Sequence, residues 1–267
     1  MMRRHYLLAF ITLCFTALSN AHAPDPALAK VIADPARTQA FVTRDAARHP
    51  LEELTFFGLK PTLTVVEFWP GGGYWTEILA PYLKDHGHYT AAFAPSTDEP
   101  EVDDAWHQRV HAQSARLGPI AETLVGPGHY DFAPANSVDL VLTFRNLHNW
   151  MDGGYAEDML RAAFRALKPG GILGVEAHRG RQDRPQDLKA ADGYVREDYA
   201  IALAEKAGFT LAARSEINAN PRDTKDWVDG VWTLPPTLAQ KDKDRARYIA
   251  VGEADNFVLQ FVKPRTK

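Results

Sequence analysis

The chain has 267 residues, 45% hydrophobic and 24% charged, with one cysteine and 30 basic against 34 acidic side chains, a formal charge of −4. This composition excludes disordered, collagen-like and disulfide-framework proteins. The near-neutral balance without a basic block removes the electrostatic footprint of a nucleic-acid binder.

In chain order, the first segment reads as a secretory signal peptide. Arg3 and Arg4 precede a mostly apolar run from Tyr6 to Leu18, and Ala21-His22-Ala23 places small residues before a cut. Cleavage after Ala23 leaves 244 residues with 28 basic and 34 acidic side chains, a charge of −6, and a periplasmic or secreted location is expected. The apolar run falls short of the roughly 20 residues a membrane span requires, so no stable membrane insertion is expected. Cys14 leaves with the leader, and the mature chain then has no disulfide, thiolate ligand or cysteine nucleophile.

Residues 24 to 60 read as a helical arm punctuated by Pro24, Pro26 and Pro35, with Arg44 to Arg48 on a solvated face and no chemistry. The pattern then alternates. Strands are expected at 63–68, 88–93, 138–144, 172–177, 211–217 and 256–262, and helices at 76–83, 102–117, 155–167 and 197–207. Strands separated by helices imply one doubly wound α/β domain spanning 24–267, built on a mostly parallel sheet. Residues 218 to 255 lack apolar periodicity but contain Trp227, Trp232 and Leu234-Pro235-Pro236, which predicts an insertion packed as a cap.

Three motifs lie where an open α/β sheet binds ligands, at the carboxyl ends of its strands. The first is Glu67-Phe68-Trp69-Pro70-Gly71-Gly72-Gly73, a glycine turn between strand and helix. It lacks the Gly-Lys-Ser/Thr of a phosphate loop, and Thr76 stands where a dinucleotide fingerprint needs Gly or Ala. The second is Leu167-Lys168-Pro169-Gly170-Gly171, a helix end, turn and entering strand. The third joins Arg145, His148 and Trp150 after one strand to His178 and Arg179 after the next, so that two arginines and two histidines reach one cleft. His148 is the first choice for a base and His178 the second, since an imidazole accepts a proton near neutral pH. Arg145 and Arg179 suit an anionic acceptor or a cofactor carboxylate. The bland reading pairs these arginines with Glu176 and Asp152 and buries Trp150 in the core. His107 and His111 stand four apart without a third ligand and read as a solvated face, so no metal is expected.

With the glycine turn, the Pro-Gly-Gly turn, Asn136-Ser137-Val138-Asp139-Leu140-Val141-Leu142 and Ala207-Gly208-Phe209, the chain resembles the class I S-adenosylmethionine-dependent methyltransferases over 62 to 217 and the final strand. More narrowly, the leader, Phe68-Trp69-Pro70-Gly71-Gly72-Gly73-Tyr74-Trp75 and the Trp-rich insertion are similar to an exported bacterial group of predicted methyltransferases. The resemblance implies a Rossmann-like seven-stranded sheet and S-adenosyl-L-methionine as cofactor. It places Glu67, Gly71 and Gly73 against the cofactor, with Asp131 as the acid available in the adenine segment; Trp69, Gly72 and Arg145 are expected beside them from their place in the cleft, and His148, His178, Arg145 and Arg179 on the acceptor. Trp69 replaces the family's first glycine, and Ala91-Ala92-Phe93-Ala94 replaces its ribose-binding acid, the next acid being Asp98. The expected function is methyl transfer to a small-molecule or peptide-borne acceptor by a monomer or small oligomer. The alternative is a non-catalytic periplasmic binding protein on the same fold.

Overall fold

The computed structural model describes residues 25–95 and 100–265, with the side chains of 100–103 left aside. The expected leader and Asp98 lie outside the described residues. The arm comprises α1 (Pro26–Ile32), α2 (Gln39–Val42), α3 (Asp45–Arg48) and α4 (Pro50–Phe56). The alternating part runs β1 (Thr64–Phe68), α5 (Thr76–Leu83), β2 (His88–Phe93), α6 (Pro100–Ala112), α7 (Ser114–Leu117), β3 (Ala121–Leu124), β4 (Val138–Phe144), α8 (Leu147–Asp152), α9 (Ala156–Ala166) and β5 (Leu167–His178). It closes with α10 (Glu197–Lys206), β6 (Thr210–Ser215), α11 (Arg245–Val251) and β7 (Asn256–Val262).

Seven strands form one sheet in the order β3-β2-β1-β4-β5-β7-β6, and β7 alone runs antiparallel to its neighbours. The order reverses between β1 and β4, which places a ligand crevice beyond their carboxyl ends. Period-two alternation divides the apolar side chains of β1 between the two sheet faces. Val66 and Phe68 join Val141, Leu173 and the helices α8 to α10 on one face. Val65 joins Leu140, Leu142, α5 and the arm's Leu54 and Phe57 on the other. A third, small cluster of Tyr194, Val231, Leu234, Tyr248 and Ala254, with Trp227 and Trp232 against it, packs residues of the 218–255 segment.

The differences from the expected elements have local causes. β3 is an exposed edge strand of four residues without an apolar run. The expected helix over 102–117 breaks at Gln113 into α6 and α7. β5 begins at Leu167, earlier than the turn residues suggest, because Gly170 N–H donates to the Lys263 carbonyl and Lys263 N–H donates to that of Gly171. Among the described residues no helix is long and apolar enough to cross a membrane.

Candidate functional site

β1 ends in a turn held from both sides. Trp69 N–H donates to the Ala92 carbonyl of β2 at 2.8 Å, and Asn146 Nδ2 beyond β4 donates to the Phe68 carbonyl at 2.9 Å. Gly71 and Gly73 are left-handed, with φ of 55° and 92°. A Cβ at Gly71 would meet open space, whereas one at Gly73 would stand 3.0 Å from Trp106. Gly71 therefore faces the crevice, and Gly73 lets α6 pack against the turn.

Glu67 is buried beneath this turn, 1% exposed, at the end of a hydrogen-bond chain. Trp106 Nε1 donates to Thr76 Oγ1 at 3.0 Å, that hydroxyl lies 2.9 Å from the Tyr89 hydroxyl, and Tyr89 donates to Glu67 Oε2 at 2.5 Å. Burial pushes the Glu67 carboxyl up to about 7, against the lowering effect of the Tyr89 and Thr76 hydrogen bonds.

Two cavities occupy the crevice. One, about 190 Å³, is lined by Glu67, Trp69, Gly71, Gly72, Phe144 and Asn146 with the arm's Phe41. The second, about 230 Å³, is lined by His148, His178, Glu253 and the cap's Trp232, Pro235 and Pro236. Arg44, Arg48 and Arg145 line both and form the wall between them. The arm thus enters the site, which overturns the solvated face read for Arg44 to Arg48: Arg48 is 4% exposed, with its guanidinium 4.4 Å from the Tyr74 ring centroid. The composition of 24 to 60 carries no sign of this role, because the docking of the arm is a long-range contact.

Glu253 collects the guanidiniums. It accepts from Arg44 Nε at 2.7 Å and Arg145 Nη1 at 2.8 Å, and Arg48 Nε lies 3.6 Å away. Against the burial that would raise it, the Arg44 hydrogen bond and the Arg145 charge hold the Glu253 carboxyl below its ordinary range. Glu176 of β5 lies 3.7 Å from Arg145 Nε and shares the amide of Asn218 with Glu53, at 3.1 and 2.7 Å. Burial and the repulsion of Glu176 push Glu53 well above the ordinary carboxylate range.

His148 and His178 meet with ring centroids 5.5 Å apart, and Trp232 closes edge-on over His148 at 5.7 Å. Burial, then the Arg145 charge, lowers His148 to about 4. Burial likewise takes His178 well below its ordinary value, and its Nδ1 pairs with Asn256 Oδ1 at 2.7 Å. Both imidazoles are neutral near pH 7, and at about 4 His148 is a weak base that serves better as a hydrogen-bonding partner.

The structure therefore brings together Glu67, Trp69, Gly71, Gly72, Arg145, His148 and His178 of the expected site. Asp131 lies apart, exposed and paired with Arg165 at 3.0 Å. Arg179 turns to Glu216, Glu197 and Asp255 and lines neither cavity. Arg145 does pair with Glu176, as the bland reading held, yet it also faces both cavities. Among the described residues no cluster of three or more metal-ligating side chains forms.

The donor set fits the amino-acid end of S-adenosylmethionine: open space at Gly71, the guanidiniums of Arg44 and Arg145 for a carboxylate, and buried Glu67 beneath the turn. At the nucleoside end the end of β2 offers buried Ala91, Ala92 and Phe93 rather than an acid. Trp69 spans that region instead, its indole Nε1 donating to the Val125 carbonyl at 3.0 Å and its ring set against Trp150 and Tyr155. The fit there rests on aromatic surface.

Residues 70–175 match the methyltransferase domain family model. Among curated proteins none matches. An S-adenosylmethionine-dependent methyltransferase from Aquifex aeolicus superposes with a TM-score of 0.57 at 16% identity, covering 88% of this chain and 98% of that one. The [4+2]-cyclase SpnF gives 0.58 at 17% identity, over 83% and 82%. Phosphoethanolamine N-methyltransferase 2 of Haemonchus contortus, solved with S-adenosyl-L-methionine, gives 0.54 at 17%, over 82% and 53%. At these identities the structural likeness establishes the fold. Sheet order, glycine turn and matched segment together give the chain the class I methyltransferase fold, and they support a methyltransferase with S-adenosylmethionine as its cofactor.

Proposed function

We propose that the protein is an exported S-adenosylmethionine-dependent methyltransferase whose acceptor binds beneath the cap. The observation that carries this reading is the open face of Gly71 on a cavity beyond β1 and β4, inside the matched segment and one wall away from a second cavity. Main chain at Gly71 and Gly72 and the guanidiniums of Arg145 and Arg44 would hold the amino-acid end. When bound, the cofactor supplies an electrophilic methyl group on a sulfonium, so the protein's task is positioning and exclusion of water. Trp232, Pro235 and Pro236 cover the second cavity. Neutral His148 lines this cavity, and its imidazole can exchange one hydrogen bond with an acceptor hydroxyl or amine. Export rests on the Arg3-Arg4, apolar and Ala21-His22-Ala23 pattern.

Titration calorimetry with S-adenosylmethionine and S-adenosylhomocysteine tests the activity class. Heat is expected on the parent protein and not on Gly71→Arg, whose side chain enters the cavity. A folded parent that gives no heat overturns the reading and leaves the non-catalytic binding protein. N-terminal sequencing of the protein made in a bacterial host checks export: Pro24 is expected at the mature terminus, and an intact Met1 in the cytoplasm refutes it.

A further inference from the structure

The wall between the two cavities carries more positive charge than its own acids answer. On the histidine side, Arg44, Arg48 and Arg145 face the single lining carboxylate of Glu253, which is saturated by Arg44 and Arg145. Arg48 is left over. Its side chain donates no hydrogen bond among the described residues, its Nε is buried without a partner, and its charge rests on the Tyr74 ring and a 3.6 Å approach to Glu253. A buried guanidinium is costly unless it is paired and hydrogen-bonded. A second orphan lines the same cavity: His148 is only 7% exposed, and its Nδ1 has no partner. Trp232, edge-on to His148, adds flat apolar surface to the same cavity together with Pro235 and Pro236. S-adenosylmethionine, with a sulfonium, an ammonium and one carboxylate, would bring a further net positive charge to the neighbouring cavity. Whatever fills the second cavity has to answer both.

We propose that the cavity between Arg48 and the His148–Trp232 wall is a binding site for an oxyanion, carboxylate or phosphate, borne on a small flat apolar body, and that this is the acceptor class of the enzyme. The acceptor assignment rests on the methyltransferase reading. The oxyanion site rests on the two orphaned groups alone. Arg48 anchors the anion, the imidazole accepts or donates one hydrogen bond to its neighbouring substituent, and the cap covers the body.

Calorimetry on the purified mature chain, with benzoate, phenyl phosphate and uncharged benzamide as probes, tests this with and without S-adenosylhomocysteine. At least one anion should bind about tenfold or more tightly than benzamide, and the tighter of the two identifies the oxyanion. S-adenosylhomocysteine should leave that affinity unchanged. Arg48→Met, which keeps an extended apolar stem against Tyr74, should bring the anion down to the benzamide level while benzamide itself is unaffected. Equal affinity for benzoate, phenyl phosphate and benzamide, or no binding of any probe, overturns the site on the unaltered protein, whatever the folding of the variant. Competition between the anion and S-adenosylhomocysteine also overturns it, because Arg48 would then be the anchor of the cofactor's carboxylate. If an anion is selected but S-adenosylhomocysteine gives no heat, the oxyanion site stands and the methyltransferase reading fails.

Discussion

Replacing Glu67 by glutamine isolates the cost of keeping a carboxylate under the glycine turn. Burial raises its folded-state value from the ordinary 4.5 to about 7, while in the unfolded chain it titrates as an ordinary glutamate. The folded state therefore holds a proton that the unfolded state has lost across that interval. Stability from this group is fully present below pH 4.5 and is lost as pH rises through about 7. The interval corresponds to about 3 kcal/mol. The glutamine amide would still accept from the Tyr89 hydroxyl, and every other titrating group cancels in the difference between variant and parent. Urea unfolding of both proteins at several pH values from about 4.5 to 8 should show Glu67→Gln gaining about 3 kcal/mol on the parent over that range. For a domain of this size the gain equals roughly 6 to 12 °C in Tm. A stability difference that stays flat with pH would refute the reasoning, since it would mean that Glu67 keeps an ordinary value in the folded protein.

One titration and two substitutions probe the rest of the site. The His148 ring should show no NMR titration between about pH 8 and 5, because burial and Arg145 hold it near 4, and a midpoint near 6.5 would overturn that account. Asn218→Leu removes the amide that bridges Glu53 and Glu176, and should cost about 3 kcal/mol or more in chemical unfolding. Gly230→Ala should lower stability by about 2 kcal/mol or more and open the cap to limited proteolysis, since the φ is 55° and the new Cβ would collide with the Asp192 carbonyl oxygen.

The sheet was legible because buried parallel strands such as Val138–Phe144 are short apolar runs, and because β2, β4 and β7 end where their turn residues stand. The exposed strand β3 left no such trace. The site was half legible for a related reason. Glu67, Gly71, Arg145, His148 and His178 belong to strand ends, and the fold class alone says that these meet. Arg44, Arg48 and Glu253 come from the arm and from the end of the insertion, and sequence spacing contains nothing of the 209 residues that separate Arg44 from its partner Glu253. Asp131 shows the opposite failure: a family position was filled by the right residue type, and the loop turned it to solvent.

The guanidinium wall ties arm, cap and sheet together. Glu253 ties Arg44 and Arg48 of the arm to Arg145 of the β4 end, and Asn218 ties Glu53 of α4 to Glu176 of β5. Each link crosses an element boundary, so undocking the arm breaks the wall of both cavities at once. The arrangement carries a cost that packing alone does not require. Trp69 and Arg145, both bulky, sit in the left-handed region at φ of 54° and 62°, where each L residue is disfavoured by roughly 1 to 2 kcal/mol. Arg48 and His148 are buried with unpaired nitrogens. These four residues surround the crevice at the switch point, and strain or unsatisfied polarity held at a ligand crevice is what a preorganised binding site shows before its ligand arrives. A glycine at 69 and an apolar residue at 48 would relieve much of that cost. The sequence holds Trp69 and Arg48 there instead: Trp69 keeps its strain with its contacts met by Val125, Trp150 and Tyr155, and Arg48 keeps an Nε that no protein atom among the described residues satisfies.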